Sequence, residues 1–172
     1  MSSAENTVLY PASWMPLFTY EQNSCSTSIS ILSAQTIFSY SDGFRTTRGN
    51  ITARHVSFNF CGLEFNDSFE ALSKALTLVK VFEKRQCGKG AGQFAMTFPT
   101  VENPSLRLFC QSVKNTQSYD EMRIGWITQR NGKEHEKAHV MNIGYVHDFR
   151  NALHKAMGWI SPEAHTEFMR LD

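Results

Sequence analysis

The stretch WITQRNGKEHEKAHV, residues 126–140, begins with a tryptophan and alternates basic and acidic side chains from Lys133 to Lys137. At its centre, Asn131-Gly132 is the strongest short signal for a β-hairpin with a two-residue turn. This turn places Arg130 opposite Lys133 and sorts the flanking residues by charge, because strand side chains alternate between two faces. The acidic residues Glu134 and Glu136 fall on one face. The other face carries Trp126, Arg130, Lys133, His135, Lys137 and His139.

Such a basic face suits a single strand of nucleic acid. Lysine and arginine neutralise phosphates, and an aromatic ring stacks on bases with about 1–3 kcal/mol per base. That is more than most exposed ion pairs contribute, so Trp126 is predicted to contribute most. The alternative explanation is a solvated strand whose charges keep a sheet edge from aggregating.

The earlier stretch FRTTRGNITARHV, residues 44–56, has a similar composition. With Gly49-Asn50 as the turn, Arg45 lies opposite Arg54, and two opposed arginines repel unless an anion lies between them. A register shift of one residue removes that pairing, and Phe44 also fits a core position. The binding candidates from this copy are Phe44, Arg45, Arg48 and Arg54.

No arrangement of residues indicates an enzyme, a metal site or a cofactor. His135 and His139 would lie about 13 Å apart along a strand, too far to share one ion. Neither Glu134 nor Glu136 is followed two residues later by a lysine, as a metal-dependent nuclease core usually requires, and GKGAGQ lacks the spacing of a phosphate loop. The four cysteines form no Cys-x-x-Cys pair, so four free thiols are predicted.

Apolar residues recur at three- and four-residue spacing in two segments, NDSFEALSKALTLVKVFEKRQCGKG and HDFRNALHKAMGWI. Each is predicted to be a helix that packs by one face. In the first, Asp67 and Glu70 have the spacing of a capping box, and Gly88 suits the helix end. Asp148 is the predicted cap of the second, and Ser161 that of a short third helix with proline at its first position.

The other segments are rich in β-branched and aromatic residues, which predicts strands. Four of them precede each long helix: MPLFTYE, STSISILSAQTIFSYS, GFRTTR and ITARHVSFNF before the first, then GQFAMTFPT, SLRLFCQSV, MRIGWITQ and EKAHVMNIGY before the second.

The order of four strands and a helix thus occurs twice, which predicts an internal duplication. ALSKAL matches ALHKAM, GFRTTR matches GWITQR without gaps, and His55-Val56 matches His139-Val140. The predicted fold class is α+β, one domain (1–172) in which two β-β-β-β-α units form antiparallel sheets packed with helices. The first unit covers 8–87, the second 92–160, and a short C-terminal helix covers 161–172.

Over residues 17–160 this arrangement resembles the Whirly family of single-stranded DNA binders, whose plan is shared by kinetoplastid guide-RNA-binding proteins and Pur-alpha-type repeat proteins. The resemblance lies in the order of the elements. It implies binding of single-stranded DNA or RNA across the sheets and assembly into homo-oligomers such as tetramers.

Composition constrains this hypothesis. The chain is 41% hydrophobic and carries 17 basic against 16 acidic residues, a net charge of +1, so a nucleic-acid site must be a local patch. Near-neutral charge also favours the alternative, a protein-interaction module on the same fold, and a nuclease ranks third.

The N-terminal stretch has no secretion signal and no segment reaches membrane-spanning length, so an intracellular protein without a membrane partner is predicted.

Overall fold

The computed structural model describes residues 5–9, 13–40, 46–88, 93–113 and 121–171, with the backbone alone described along 5–9, 33–40, 46–54 and 85–88. Nine strands and three helices lie in this part of the chain. In chain order they are β1 Glu5–Leu9, β2 Ser13–Gln22, β3 Cys25–Tyr40, β4 Thr46–Phe60, β5 Leu63–Asn66, α1 Phe69–Gly88, β6 Gln93–Thr97, β7 Arg107–Ser112, β8 Glu121–Arg130, β9 Lys133–Asn142, α2 Ile143–Ile160 and α3 Pro162–Arg170.

The strands form two antiparallel sheets, each four strands wide. In the first sheet, the 16-residue β3 pairs with β4 along one edge, and β5 follows β4. Along its other edge β3 pairs with β2 near its start and with β1 near its end, so β1 and β2 share one position. The second sheet has the order β6-β7-β8-β9. Each sheet is followed by a long helix, which agrees with the predicted α+β class and is consistent with a duplicated β4-α unit.

The prediction of a turn at Gly49-Asn50 is wrong, because β4 continues through both residues. The register of β3 and β4 shifts there: Gln35 pairs with Ile51, whereas Ile37 pairs with Arg48. Two residues of β4 thus stand opposite one residue of β3, which is the count of a β-bulge, a common place for glycine within a strand. The predicted opposition of Arg45 and Arg54 is therefore also wrong, since Arg54 pairs with Ser33.

Two-residue turns with positive φ at both positions close three hairpins. They are Asn23-Ser24 between β2 and β3, Cys61-Gly62 between β4 and β5, and Asn131-Gly132 between β8 and β9. Positive φ at both central residues is the type I′ geometry, which matches the twist of the flanking strands.

The turn at 61–62 precedes a short strand, β5, that sequence patterning missed. Because of this strand, β4 corresponds by order to β8, and β5 corresponds to β9. His55 lies on β4 and His139 on β9. The predicted match of His55-Val56 with His139-Val140 therefore joins strands that are not equivalent.

Both long helices begin at residues other than those predicted. The Ser68 hydroxyl, not Asp67, accepts a hydrogen bond from the first turn of α1, from Ala71 N at 3.1 Å. The Asp67 carboxylate instead accepts from Val56 N at 2.9 Å and contacts His55 Nδ1 at 2.7 Å.

Burial alone would raise the pKa of Asp67, but the hydrogen bonds from His55 and Val56 outweigh it and lower that pKa. The second helix starts at Ile143, before the predicted cap Asp148, because the Asn142 side chain accepts from Tyr145 N and caps it. The third helix starts after Ser161 with Pro162 in its first turn, as predicted.

Each long helix packs against the sheet of the other unit. The first helix contacts β6 and β7, whereas α2 contacts β2, β3 and β4 and, to a smaller extent, β8 and β9 of its own unit. Phe149 of α2 lies 5.1 Å from Phe18 and 6.4 Å from both Phe58 and Phe60, measured between ring centroids. The helices also contact one another, where Glu83 accepts from Arg150 at 2.8 Å. Both sheets and both helices therefore contribute to one continuous hydrophobic core.

Within the described residues, no helix combines the length and the apolar character that crossing a membrane requires.

Candidate nucleic-acid interface

The β8–β9 hairpin has the predicted register. Arg130 pairs with Lys133 and Trp126 pairs with Lys137. At the turn, Asn131 and Gly132 have φ of 53° and 77°. Asparagine tolerates this left-handed conformation and glycine adopts it without steric cost, which explains why this sequence folds back at this point.

Acidic residues on the outer face of this hairpin are paired with arginines from neighbouring strands. Arg107 Nη2 of β7 lies 3.0 Å from Glu134 Oε1. Arg123 of β8 forms an ion pair with Glu136. The negative charges of β9 are thus compensated across the sheet.

The opposite face of the hairpin end carries uncompensated positive charge. Its four basic side chains are all exposed: Arg130, Lys133, His135 and Lys137. Within the described residues none of them takes part in an ion pair. An added Cβ at Gly62 would stand 3.9 Å from Lys137 Nζ, so this face lies next to the β4–β5 turn. We call this surface the basic tip; it consists of Arg130, Lys133, His135 and Lys137.

Trp126 lies on the same face as the basic tip, but its indole is not freely exposed. The side chain is half-buried and packs against the core. Its Nε1–H donates to the carbonyl oxygen of Cys61 at 3.0 Å. A buried indole N–H usually finds such a partner, and here it ties the second sheet to the β4–β5 turn of the first. Trp126 is therefore only partly exposed, and its role as the main stacking residue stays a prediction.

His139, predicted as part of the basic face, is buried with 3% of its surface exposed. Its Nε2 lies 2.6 Å from the Thr27 hydroxyl oxygen, and its Nδ1 has no hydrogen-bond partner within the described residues. Burial disfavours the charged imidazolium and lowers the pKa of His139 to about 4. The ring is therefore neutral at pH 7 and inaccessible to a phosphate.

None of the four candidates from the first copy has a described side chain. Phe44 and Arg45 lie outside the described residues. Arg48 and Arg54 lie on β4, where the backbone alone is described.

Two exposed aromatic side chains were missed by sequence patterning. Trp14 near the start of β2 is 51% exposed and Tyr145 in the first turn of α2 is 45% exposed. The predicted strand EKAHVMNIGY ends at Tyr145, whereas the structure has this residue in α2. The signal for its true position was Asn142, a residue type that favours helix N-caps.

Two buried thiols have raised pKa values, and no metal-binding cluster is found among the described residues. Burial raises the pKa of Cys61, and it raises the pKa of Cys110 to about 12. Both therefore remain protonated and unreactive at neutral pH. No group of three or more His, Cys, Asp or Glu side chains in the described ranges could hold a metal ion.

Comparison with known proteins gives no match for this chain, either among protein-family models or among curated sequences.

Proposed function

We propose that this protein binds single-stranded DNA or RNA without catalysis and that the basic tip supplies its phosphate contacts. The observation that carries the proposal is the sorting of charge on the β8–β9 hairpin. Acidic side chains on one face are neutralised by Arg107 and Arg123, whereas the other face presents exposed basic groups together. A local patch of this kind attracts a polyanion even though the net charge of the chain is only +1.

The fold supports the proposal in a general way. Two four-position antiparallel sheets with two long helices give the element order on which the likeness to the Whirly plan rests. That likeness, and the homo-oligomer that it implies, are part of the proposal. Light scattering in solution tests the oligomer separately.

Fluorescence anisotropy with labelled single-stranded DNA and RNA tests the proposal. The variant Lys133→Gln/Lys137→Gln removes two charges from the basic tip. The matched control, Lys84→Gln/Arg170→Gln, removes two exposed charges from α1 and α3. Each phosphate contact contributes about 0.7 to the slope of log affinity against log salt for single strands. The tip variant should therefore lower the magnitude of this slope by about 1.4, whereas the control should leave it unchanged.

The result also decides between the two main hypotheses. Equal loss of affinity in both variants would mean nonspecific attraction to net charge and would contradict the assignment to the basic tip. If the wild-type protein binds neither polymer at low salt, the protein-interaction module is the better explanation. That alternative is favoured by the near-neutral charge and predicts association with a protein that tolerates salt.

A further inference from the structure

An open groove lies between β2 and the outer side of α2, apart from the basic tip. It has a volume of about 390 Å³, within the range of small-molecule sites. Buried Phe18 and Ala152 lie beneath it. Its rim is formed by Leu17 and by four side chains of α2: Tyr145, Asp148, Asn151 and Lys155. We call it the β2–α2 groove.

The Tyr145 ring is held in place although nearly half of it is exposed. It meets the edge of the Tyr20 ring at a centroid distance of 5.0 Å and an angle of 63°. Tyr20 is in turn fixed, because its hydroxyl donates to the Val140 carbonyl oxygen and its ring lies 4.9 Å from that of His139. A preorganised aromatic ring provides contact area at low entropic cost, as aromatic residues do at many binding surfaces.

The polar side chains of the groove offer complementary hydrogen-bonding groups. Asp148 and Asn151 lie one turn apart on α2, and Lys155 follows one turn later, so all three line the same side of the helix. Within the described residues none of them forms a hydrogen bond or an ion pair, and all three are exposed. A carboxylate accepts from N–H donors, an amide both donates and accepts, and an ammonium binds a phosphate.

The groove is connected to the basic tip by a single strand. Lys137 at the tip and Asn142 at the start of α2 are five residues apart on β9, about 16 Å in an extended strand. Tyr145 follows in the first turn of α2. A nucleic-acid strand of ordinary site size for a small binding domain, about 4–16 nucleotides, is long enough to contact both surfaces.

From these features we propose that the β2–α2 groove is a base-binding subsite, in which Tyr145 stacks on a nucleobase and Asp148 accepts from its edge. The proposal rests on the proposed function. Guanine fits best, because two adjacent N–H groups on its pairing edge match the two oxygens of a carboxylate. Lys155 at the rim would then contact a phosphate next to this base.

The probe is an oligothymidylate with one guanine near an end, compared with the all-thymine strand of equal length in the same anisotropy assay. Stacking of about 1–3 kcal/mol per base corresponds to about 5- to 150-fold in affinity. Tyr145→Ala should weaken binding of the guanine strand by that factor. Tyr145→Phe, which keeps the ring, should bind within about twofold of wild type. Asp148→Asn should abolish the preference for guanine, measured as the ratio of the affinities for the guanine strand and the all-thymine strand.

The outcomes separate the two proposals. If Tyr145→Ala and Asp148→Asn bind like the wild type while Lys133→Gln/Lys137→Gln binds more weakly, the groove is not a subsite and the proposed function stands. If the wild-type protein binds no oligonucleotide, both proposals fail. Circular dichroism of each variant establishes that its fold is intact, and Asp148→Asn, at an exposed position, keeps the test decisive should Tyr145→Ala not fold.

Discussion

The side chains between the two sheets form a polar cluster inside an otherwise apolar core. The Thr27 hydroxyl contacts His139 Nε2 and accepts from Cys61 N at 3.2 Å, and the Cys61 carbonyl accepts from Trp126. Hydrogen bonds of this kind between buried groups of the two sheets favour a single arrangement of the layers. Trp126 and His139, two candidates from sequence for contact with nucleic acid, thus take part in hydrogen bonds between the two sheets.

His139 should make folding stability depend on pH. Its pKa is lowered from about 6.5 in the unfolded chain to about 4 in the folded protein. Below about pH 6.5 the unfolded state therefore binds more protons, and stability falls as the pH falls, until about pH 4. At 1.36 kcal/mol per pH unit, the loss by pH 5 is about 2 kcal/mol.

Urea unfolding between pH 7 and pH 5 measures this effect. His139→Gln removes the titrating group and keeps a polar atom for Thr27, so its free energy of unfolding should vary less with pH, by about 2 kcal/mol over this interval. His135→Gln, an exposed residue of the same strand, is the control and should retain the wild-type dependence. Identical pH dependence in wild type and His139→Gln would show that His139 is not the group responsible.

At the scale of elements, strong local signals made some strands predictable. The β8–β9 hairpin was predicted with its register because Asn131-Gly132 determines a turn by its own conformational preferences. Gly49-Asn50 resembles the same signal but lies in a bulge, because β3 continues alongside and pairs with β4 on both sides of it. Glycine permits both structures, so a local pattern could not separate them.

Burial of the hairpin residues was harder to predict than their register. The sequence placed Trp126 and His139 on the correct face but could not show which part of that face is covered. The covering groups, Thr27 and Cys61, come from the first sheet, more than 60 residues away in the chain. Tyr145 became visible as a surface residue only when the start of α2 was known. The candidate site was thus predictable at its exposed end alone.

A close approach of β8 and β9 at Gly125 leads to a second prediction. A Cβ at this position would overlap the backbone of Lys137 and Ala138, so Gly125→Ala must push the strands apart. Overpacking of this kind typically costs about 1–3 kcal/mol, and urea unfolding should show a loss of at least this size. Gly144→Ala is the control, since its Cβ would meet Asn142 Oδ1 at an ordinary 3.4 Å. Equal stability of the two variants would contradict the close approach.

At the scale of the whole molecule, the two units are joined by an exchange of helices, in which each long helix packs mainly on the sheet of the other unit. The apolar face of α1 packs on the second sheet, and Cys110 of β7 donates its thiol hydrogen to the Leu78 carbonyl oxygen at 3.3 Å. The apolar face of α2 is covered by the phenylalanines of the first sheet. Each sheet is therefore packed mainly by the helix of the other unit, although α2 also contacts β8 and β9. The strands and helices that carry the basic tip and the β2–α2 groove thus share one core.

The same exchange predicts that neither unit folds alone. A cut between residues 90 and 91, between the two units, leaves each sheet without the helix of the other unit that packs on it. The buried phenylalanines of the first sheet then become exposed, and each of them contributes about 1.5–3 kcal/mol on burial. A domain is only marginally stable overall, so each fragment should lack a cooperative thermal transition in circular dichroism. Mixing the fragments should restore the transition, because the lost contacts lie between them. A cooperative transition in either fragment alone would mean that its own helix can cover its own sheet, and the exchange would then not be required for folding.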